Sequence, residues 1–181
     1  MKYKKLMAIG FVVFVLFVSG SYIIYAVTVI SIDENTPYRV ERVLDGDTFM
    51  VKIGWHDVTI RMLGIDTPET VDPRKLVQCY GKEASDETKS LLTGQKVRLK
   101  LNPNREERDR YGRYLAYVYM NGANNLFVNE FLLENGYAHE YTYGKPYMYQ
   151  KEFREIEKTA KEAGKGLWGG CEITSSKPAK L

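Results

Sequence analysis

The order of the hydrophobic patterns is the feature that most constrains how this chain folds. Three runs rich in β-branched and aromatic residues come first, separated by turns that contain glycine or aspartate, at residues 38–45, 47–54 and 57–65. One helical pattern, two further strand patterns and two helical patterns follow, at residues 81–94, 95–101, 113–120, 125–136 and 151–166. This order favours an α+β domain over an alternating parallel sheet. Five short strands are compatible with a small closed barrel of the oligonucleotide-binding (OB-fold) type, here with three helices.

The N-terminal region has a different character from the rest of the chain. Lys2, Lys4 and Lys5 precede a stretch from Leu6 to Ile32 that contains no charged residue. A basic start followed by an apolar run is typical of a secretory signal, and about 20 apolar residues also suffice to span a bilayer as a helix. A buried core helix is the third interpretation, which the lack of a polar face disfavours.

Two observations bear on whether this segment is cleaved. Small residues at Val18 to Gly20 offer a cleavage site, whereas the sequence from Tyr22 to Ile30 stays apolar beyond it. Lysines before the span and none within it favour an N-terminus that stays inside, and we favour an uncleaved anchor. Both interpretations predict an extracytoplasmic protein, either membrane-anchored at the cell surface or secreted. The expected organisation is a signal peptide or signal anchor (1–30), a polar linker (31–37), one domain (38–170) and a C-terminal tail (171–181).

Charge is unevenly distributed along the chain. The sequence contains 26 Lys and Arg against 23 Asp and Glu, and without the three N-terminal lysines the exported part is formally neutral. A bulk basic field for nucleic-acid binding is therefore excluded. Acids predominate in residues 45–72 and bases in residues 96–113. Such a separation suits a site that holds a cation on one side and phosphate on the other.

Four carboxylates are concentrated in two short motifs, "DGDTF" and "GIDTPET", which contain Asp45, Asp47, Asp66 and Glu69. Oxygen ligands without a His or Cys cluster suit calcium or magnesium rather than zinc. Because side chains alternate along a strand, we expect Asp45 and Asp47 to lie on one face. Ordinary turns are the alternative, since Asp-Gly and Asp-Thr-Pro are common turn sequences. The two motifs together, next to Arg61, favour a cation site.

Arginines and tyrosines form two further groups. Arg61 lies five positions before Asp66, and "RDRYGR" contains three arginines that end at Arg113. The planar guanidinium matches phosphate oxygens, although solvated turn charges account better for Arg105 and Arg108. The stretch "YAHEYTYGKPYMY" supplies tyrosines that could stack on bases. Within it, Tyr137 and Tyr149 are expected at the edge of the core, and His139 is assigned no catalytic role.

Cys79 and Cys171 are the two cysteines of the sequence. In a chain expected outside the reducing cytoplasm, a disulfide between them is the natural interpretation. Two free buried thiols remain the alternative, because the sequence does not show that the pair approaches.

The combination of motifs resembles the staphylococcal-nuclease-like thermonuclease family. The motifs are "DGDT", "IRMLGIDTPET", "YGKEAS", "DRYGRYLAYVY", "VNEFLLENGYA", "YTYGKPY" and "GLW", in the order seen in that family. The resemblance extends over residues 38–170 and implies a five-stranded barrel with three helices. It also implies a calcium-dependent phosphodiesterase that acts on DNA and RNA, preferably single-stranded. Such an enzyme breaks the bond to the 5′ oxygen and leaves 3′-phosphate products.

The resemblance assigns roles to the acidic motifs. Asp47 and Asp66 correspond to direct Ca²⁺ ligands, with the backbone carbonyl of Thr67 as a third ligand. Asp45 corresponds to an outer-sphere group. Glu69 lies where the family has the glutamate that orients or deprotonates the attacking water.

The resemblance also assigns residues to the phosphate and the nucleotide. Arg61 and Arg113 match two arginines that hold the phosphate and stabilise the pentacoordinate transition state. Tyr111, Tyr141 and Tyr143 fall at nucleotide-contacting positions, as does Arg110, where the staphylococcal enzyme has lysine. The bidentate guanidinium of arginine and the compact ammonium of lysine need not bind a terminal phosphate equally. The preference for endo- or exonucleolytic cleavage therefore stays open. Cys79 and Cys171 are absent from the staphylococcal enzyme but recur in relatives, which strengthens the disulfide interpretation.

Two other function classes compete with an active nuclease. One is a catalytically inactive OB-fold module that only binds single-stranded nucleic acid, although the acids and arginines that such a module would be expected to lose are all present. The other is a calcium-stabilised adhesin-like domain. A monomer is the default expectation.

Overall fold

The structure, a computed structural model, describes residues 9–18, 21–70, 78–103, 106–122 and 125–171. The chain divides into two compact units at the boundary between Thr36 and Pro37.

The first unit contains two antiparallel strands, β1 (Ile9–Val18) and β2 (Ser21–Ile30). Their register runs from the pair Ile9 and Ile30 to the pair Val18 and Ser21. Within the described ranges, no helix is long and apolar enough to cross a membrane. The signal or anchor in residues 1–30 stays a prediction.

The second unit contains the remaining elements. Its strands are β3 (Tyr38–Asp45), β4 (Thr48–Ile53), β5 (His56–Met62), β6 (Ile65–Asp66), β7 (Lys96–Leu101), β8 (Tyr114–Met120) and β9 (His139–Glu140). Its helices are α1 (Gly81–Leu92), α2 (Val128–Glu134), α3 (Gln150–Glu162) and α4 (Leu167–Gly170). Five strands close into a barrel in the order β3-β4-β5-β8-β7. Neighbouring strands are antiparallel except β5 and β8, which are parallel.

Alternation along the strands builds the barrel interior. Val40, Phe49, Val51, Ile60 and Leu99 are fully buried. Residues that alternate with them along the strands, such as Glu41, Met50 and Lys52, are partly or fully exposed. The helices add a second layer of core through Leu132 and Leu133 of α2 and Phe153 of α3. The predicted five-stranded OB-fold barrel is therefore confirmed.

The C-terminal end of α2 packs against the segment before α4. Gly136 adopts a positive φ of 69°, and a Cβ atom there would lie 2.2 Å from the backbone oxygen of Lys165. The glycine thus ends the helix and permits this close approach. The three predicted helices are confirmed, and the one-turn helix α4 is an addition. Four residues are too few to show a helical period in the sequence.

Candidate active site

All the residues predicted for metal binding, catalysis or substrate contact line one cleft of about 630 Å³. They come from the β3–β4 turn, β5, β6 and the residues after it, the turn before β8, and the residues after β9. The lining includes Asp45, Asp47, Arg61, Asp66, Thr67, Glu69, Arg110, Tyr111, Arg113, Tyr141 and Tyr143. We call Asp45, Asp47, Arg61, Asp66 and Thr67 the acidic side, and Arg110, Tyr111, Arg113, Tyr141 and Tyr143 the aromatic side.

Asp45 and Asp47 reach the cleft in different ways. Asp45 is the last residue of β3 and pairs with Thr48, so that Gly46 and Asp47 form the turn to β4. The expectation that both aspartates lie on one face of a strand is wrong, because the chain reverses direction between them. Their exposed fractions are nevertheless only 9% and 5%.

Each oxygen of the Asp47 carboxylate accepts a hydrogen bond from a different segment of the chain. Its Oδ1 accepts from the Thr48 hydroxyl at 2.8 Å, and its Oδ2 accepts from the Thr67 backbone N–H at 2.9 Å. A Cβ atom on Gly46 would lie 2.6 Å from the Thr67 hydroxyl oxygen, so the turn packs directly against Thr67. A segment 20 residues further along the chain therefore fixes this carboxylate.

Arg61 joins the two predicted metal-binding aspartates. Its Nη1 lies 2.9 Å from Asp47 Oδ2, and its Nη2 lies 2.6 Å from Asp66 Oδ1. Nη1 also donates to the backbone oxygens of Met62 and Ile65, at 3.1 and 2.9 Å. The side chains of Arg61 and Asp47 are 11% and 7% exposed, whereas that of Asp66 is 49% exposed, so one guanidinium joins a buried carboxylate to a half-exposed one.

The acidic side carries more negative charge than its environment favours. Burial raises the pKa of Asp45, with the Thr70 hydrogen bond acting in the opposite direction and Asp47 and Glu69 adding repulsion. Burial likewise raises the pKa of Asp66, although Arg61 attracts the charged form. An additional cation here would relieve both penalties.

On the acidic side, the carboxylates of Asp47 and Asp66 and the backbone carbonyl of Thr67 are the groups predicted to bind a cation directly. Within the described parts of the chain, no group of three or more His, Cys, Asp or Glu side chains is arranged to hold a metal ion. Asp47 and Asp66 already share one cation, the Arg61 guanidinium. Because these groups are all oxygen ligands, their chemistry suits a hard cation rather than a soft one.

Glu69 lines the cleft on a segment that Asp45 helps to hold. The Thr70 hydroxyl donates to Asp45 Oδ1 at 2.6 Å, which ties the residue after Glu69 to the end of β3. Asp45 thus contacts the loop that contains Glu69, an interaction that the sequence reasoning did not foresee.

Asp109 organises the turn of the aromatic side. Its Oδ1 accepts from the backbone N–H groups of Tyr111 and Arg113, at 2.9 and 3.0 Å. Its Oδ2 accepts from Arg113 Nε at 2.7 Å. Asp109 is not among the residues predicted from the sequence, although an aspartate at the start of a turn is a recognisable signal for this arrangement.

The aromatic side presents cations next to tyrosine rings. The Arg110 and Arg113 guanidinium groups lie 4.8 and 5.4 Å from the centre of the Tyr111 ring. The Tyr141 and Tyr143 rings are stacked with centroids 6.3 Å apart. Tyr111 is 67% exposed, so these groups face solvent.

A two-residue strand pairing joins the two sides of the cleft. Ile65 of β6 pairs with Glu140 of β9, and Asp66 pairs with His139. The next residue, Tyr141, donates its N–H to the backbone oxygen of Gly64 at 3.0 Å. His139 therefore contributes its backbone next to Asp66, a role that sequence reasoning missed because two residues give no alternation pattern.

The cysteines lie outside the cleft lining. A disulfide joins Cys79, just before α1, to Cys171, just after α4, with 5.9 Å between the Cα atoms.

Comparison with known proteins identifies the family. A model described as "Staphylococcal nuclease homologue" matches residues 59–170. The chain is 47% identical over 131 residues to the thermonuclease of Staphylococcus hyicus, covering 72% of this chain and 75% of that protein. It is 40% identical to the thermonuclease of Staphylococcus intermedius, with the same coverage. It is 39% identical to endonuclease YncB of Bacillus subtilis, covering 71% of this chain and 60% of that protein. The chain therefore belongs to the staphylococcal nuclease family, as its motifs predict.

Proposed function

We propose that this chain is a calcium-dependent exported nuclease that hydrolyses DNA and RNA, preferably single-stranded, by breaking the bond between phosphorus and the 5′ oxygen. Membership of the family makes it an enzyme that cleaves phosphodiester bonds. The observation that carries the finer proposal is the cleft itself, which brings an acidic side with excess negative charge opposite exposed arginines and tyrosines.

Asp47, Asp66 and the Thr67 carbonyl are the groups that would hold the cation, with Asp45 behind them. When bound, calcium would act as a Lewis acid that polarises the phosphate and offsets the charge that develops on it. Asp45, Asp47 and Asp66 share the acidic side with one cation, Arg61, and this surplus of carboxylates favours a cation in this place.

Two arginines would hold the phosphate and stabilise the transition state. Asp109 engages Nε of Arg113, so this ion pair does not use the two terminal amino groups of the guanidinium, which lies 5.4 Å from the centre of the Tyr111 ring. Those amino groups can therefore donate to phosphate oxygens. Arg61 lies beside both carboxylates and lines the same cleft from the acidic side. Pre-oriented cations of this kind stabilise the pentacoordinate phosphorane without reorganisation.

Glu69 would orient the attacking water and accept its proton. A carboxylate is suited to this task because it can accept a hydrogen bond from the water and take its proton as the bond to phosphorus forms. The water oxygen forms a bond to phosphorus as the bond to the 5′ oxygen breaks. The departing 5′ oxygen takes up a proton from solvent, and the phosphate stays on the 3′ oxygen of the other product.

Tyr111, Tyr141, Tyr143 and Arg110 would bind the nucleotides on both sides of the scissile bond. Exposed aromatic rings stack on bases of any sequence, and they can do so only with bases that are not already stacked in a duplex. This supports the preference for single strands. We further propose a monomer located outside the cytoplasm, secreted or held at the membrane by its N-terminal segment.

The test is cleavage of single-stranded DNA and RNA oligonucleotides by the purified full chain with calcium, with magnesium and with EDTA. We expect shortening with calcium and 3′-phosphate ends. Glu69→Gln and Arg113→Ala should each lower turnover by about 100-fold or more, because each removes a group that acts in the transition state. Arg42→Ala, an exposed arginine of β3, is the matched control.

Two results would contradict the proposal. Undiminished cleavage in EDTA would exclude the calcium mechanism. A gel shift without shortening, with calcium present, would instead support the inactive binding module.

A further inference from the structure

Gln78 holds the main chain of Glu69 through two hydrogen bonds. The Glu69 backbone N–H donates to Gln78 Oε1 at 2.8 Å, and the Gln78 backbone N–H donates to the Glu69 oxygen at 3.0 Å. Both polar backbone groups of Glu69 are therefore hydrogen-bonded to one residue nine positions further along the chain. Because the carboxylate of Glu69 extends from this backbone, Gln78 influences where the carboxylate can reach.

The start of α1 packs on the same backbone. A Cβ atom on Gly81 would lie 2.8 Å from Thr70 Cγ2 and 3.2 Å from the Glu69 oxygen, so only glycine fits there. The residue before it, Tyr80, has a left-handed φ of 66°, which is unfavourable for a residue with a side chain. Such a conformation persists only where the surrounding structure holds it, and release would let Gln78 move.

The disulfide restrains the chain just before Tyr80, at Cys79. Cys79 follows Gln78 directly and is joined to Cys171. Cys171 donates its N–H to Leu167 at 3.2 Å, and Leu167 donates its own to Gly136 at 2.9 Å. Leu167 is buried, so the bridge connects Gln78 to the helical core.

We propose that Gln78 is a positioning residue for Glu69 and that the Cys79–Cys171 disulfide keeps Gln78 in place, so that the rate of cleavage depends on the disulfide. This inference rests on the proposed function of Glu69. Neither Gln78 nor either cysteine lines the cleft, and in this proposal they act through the Glu69 backbone. Gln78 is exposed, and a hydrogen bond open to water contributes little unless the chain on both sides is restrained. The disulfide and the packed start of α1 provide that restraint.

The first experiment compares two variants of nearly equal length in the full chain. Gln78→Met removes the acceptor for the Glu69 N–H, whereas Gln78→Glu keeps it. We expect Gln78→Met to lower kcat on a single-stranded oligonucleotide about tenfold, since small displacements of a reacting group are costly. KM should stay within roughly twofold, because substrate binding does not involve Glu69. Gln78→Glu should recover most of the rate, and Gln95→Met, at an exposed glutamine after α1, should match the wild type.

The second experiment tests the disulfide. Reduction of the wild type with dithiothreitol, or the double change Cys79→Ser and Cys171→Ser, should lower kcat about as much as Gln78→Met. Combining the double change with Gln78→Met should add little, because both act on the same contact. In a Glu69→Gln background, neither Gln78→Met nor reduction should change the residual rate.

The outcomes separate this inference from the proposed function. If the wild type does not cleave, or Glu69→Gln is as active as the wild type, the role of Glu69 has failed. If Glu69→Gln is impaired but Gln78→Met equals Gln95→Met, the positioning role is overturned and the nuclease function stands. If reduction also lowers the residual rate of Glu69→Gln, the disulfide acts through general stability, and the second half of the proposal is wrong.

Discussion

The two sides of the cleft are built in opposite ways. On the acidic side, Asp47 is held by Thr67 and Arg61, which lie far from it in sequence. On the aromatic side, Asp109 holds Tyr111 and Arg113 within a single turn, and the tyrosine rings face solvent. The acidic side is therefore an extension of the barrel core, whereas the aromatic side is a set of local turns on its surface. The barrel can fix the reacting groups while the aromatic side adapts to different nucleotides.

The strongest test of this difference replaces one arginine on each side. Arg61→Ala and Arg113→Ala should both abolish most activity. Only Arg61→Ala should also lower the free energy of unfolding substantially, by about 3 kcal/mol, because it leaves the buried charge of Asp47 without its ion-pair partner. Arg113 is 31% exposed, and its loss should cost less than about 1 kcal/mol. Urea denaturation in EDTA measures both values, and equal losses would show that the two sides are equally integrated into the core.

A second test divides the acidic side itself. Asp47→Asn should weaken calcium binding by about 100-fold or more, whereas Asp45→Asn should weaken it about tenfold, as expected for an outer-sphere group. Isothermal titration calorimetry on the purified variants measures the two dissociation constants. The reverse order would mean that the direct and outer ligands are wrongly assigned.

A third test concerns the aromatic side alone. Tyr143→Ala should raise KM for single-stranded DNA about tenfold with little change in kcat, because an exposed ring that stacks on a base contributes about 1–3 kcal/mol to binding. The thermal midpoint should not change, since Tyr143 is 56% exposed. Tyr143→Phe keeps the ring and serves as the control. A lowered kcat with unchanged KM would place Tyr143 in the chemistry rather than in binding.

The smallest expected effect is the pH dependence of Asp45. Its pKa in the folded state is raised above 3.8, so the folded protein binds this proton more tightly than the unfolded chain does. The cost of the charged form is therefore absent at low pH and appears as the pH rises through the raised pKa.

Asp45→Asn removes this charge and keeps an acceptor for Thr70. In EDTA, the variant should melt about 2 °C above the wild type at pH 7, and the gain should disappear as the pH falls toward 4. Differential scanning calorimetry across this range tests the sign, and a gain that increases toward low pH would show that burial does not dominate.

Local patterns predicted the elements of the fold well. The strand predicted at residues 38–45 has these bounds, and the helix predicted at 81–94 is observed at Gly81–Leu92. Alternation and helical spacing reflect which face of a segment is buried, and a single segment contains that information. The members of the candidate site came from motif resemblance, and the structure brings them to one cleft.

The contacts between segments were not predicted. Asp47 lies in a turn rather than on a strand face, Asp66 pairs with His139, and Gln78 holds Glu69. Each of these contacts involves one or two residues, which is too short a stretch for any periodicity to mark. The contacts of Asp109 were not predicted either, although its turn is local and an aspartate at the start of a turn is a signal that the sequence contains.

By itself, the sequence determined the order of strands and helices, the family, and the residue types available for phosphate and cation binding, because these depend on local patterns and motifs. Only the tertiary structure decided which carboxylates share Arg61, which turn presents Asp47, and how the disulfide-linked Gln78 reaches Glu69. The physical reason is that barrel closure brings distant segments within hydrogen-bonding distance, and the partners of a buried charge are set by that closure rather than by neighbours in the chain.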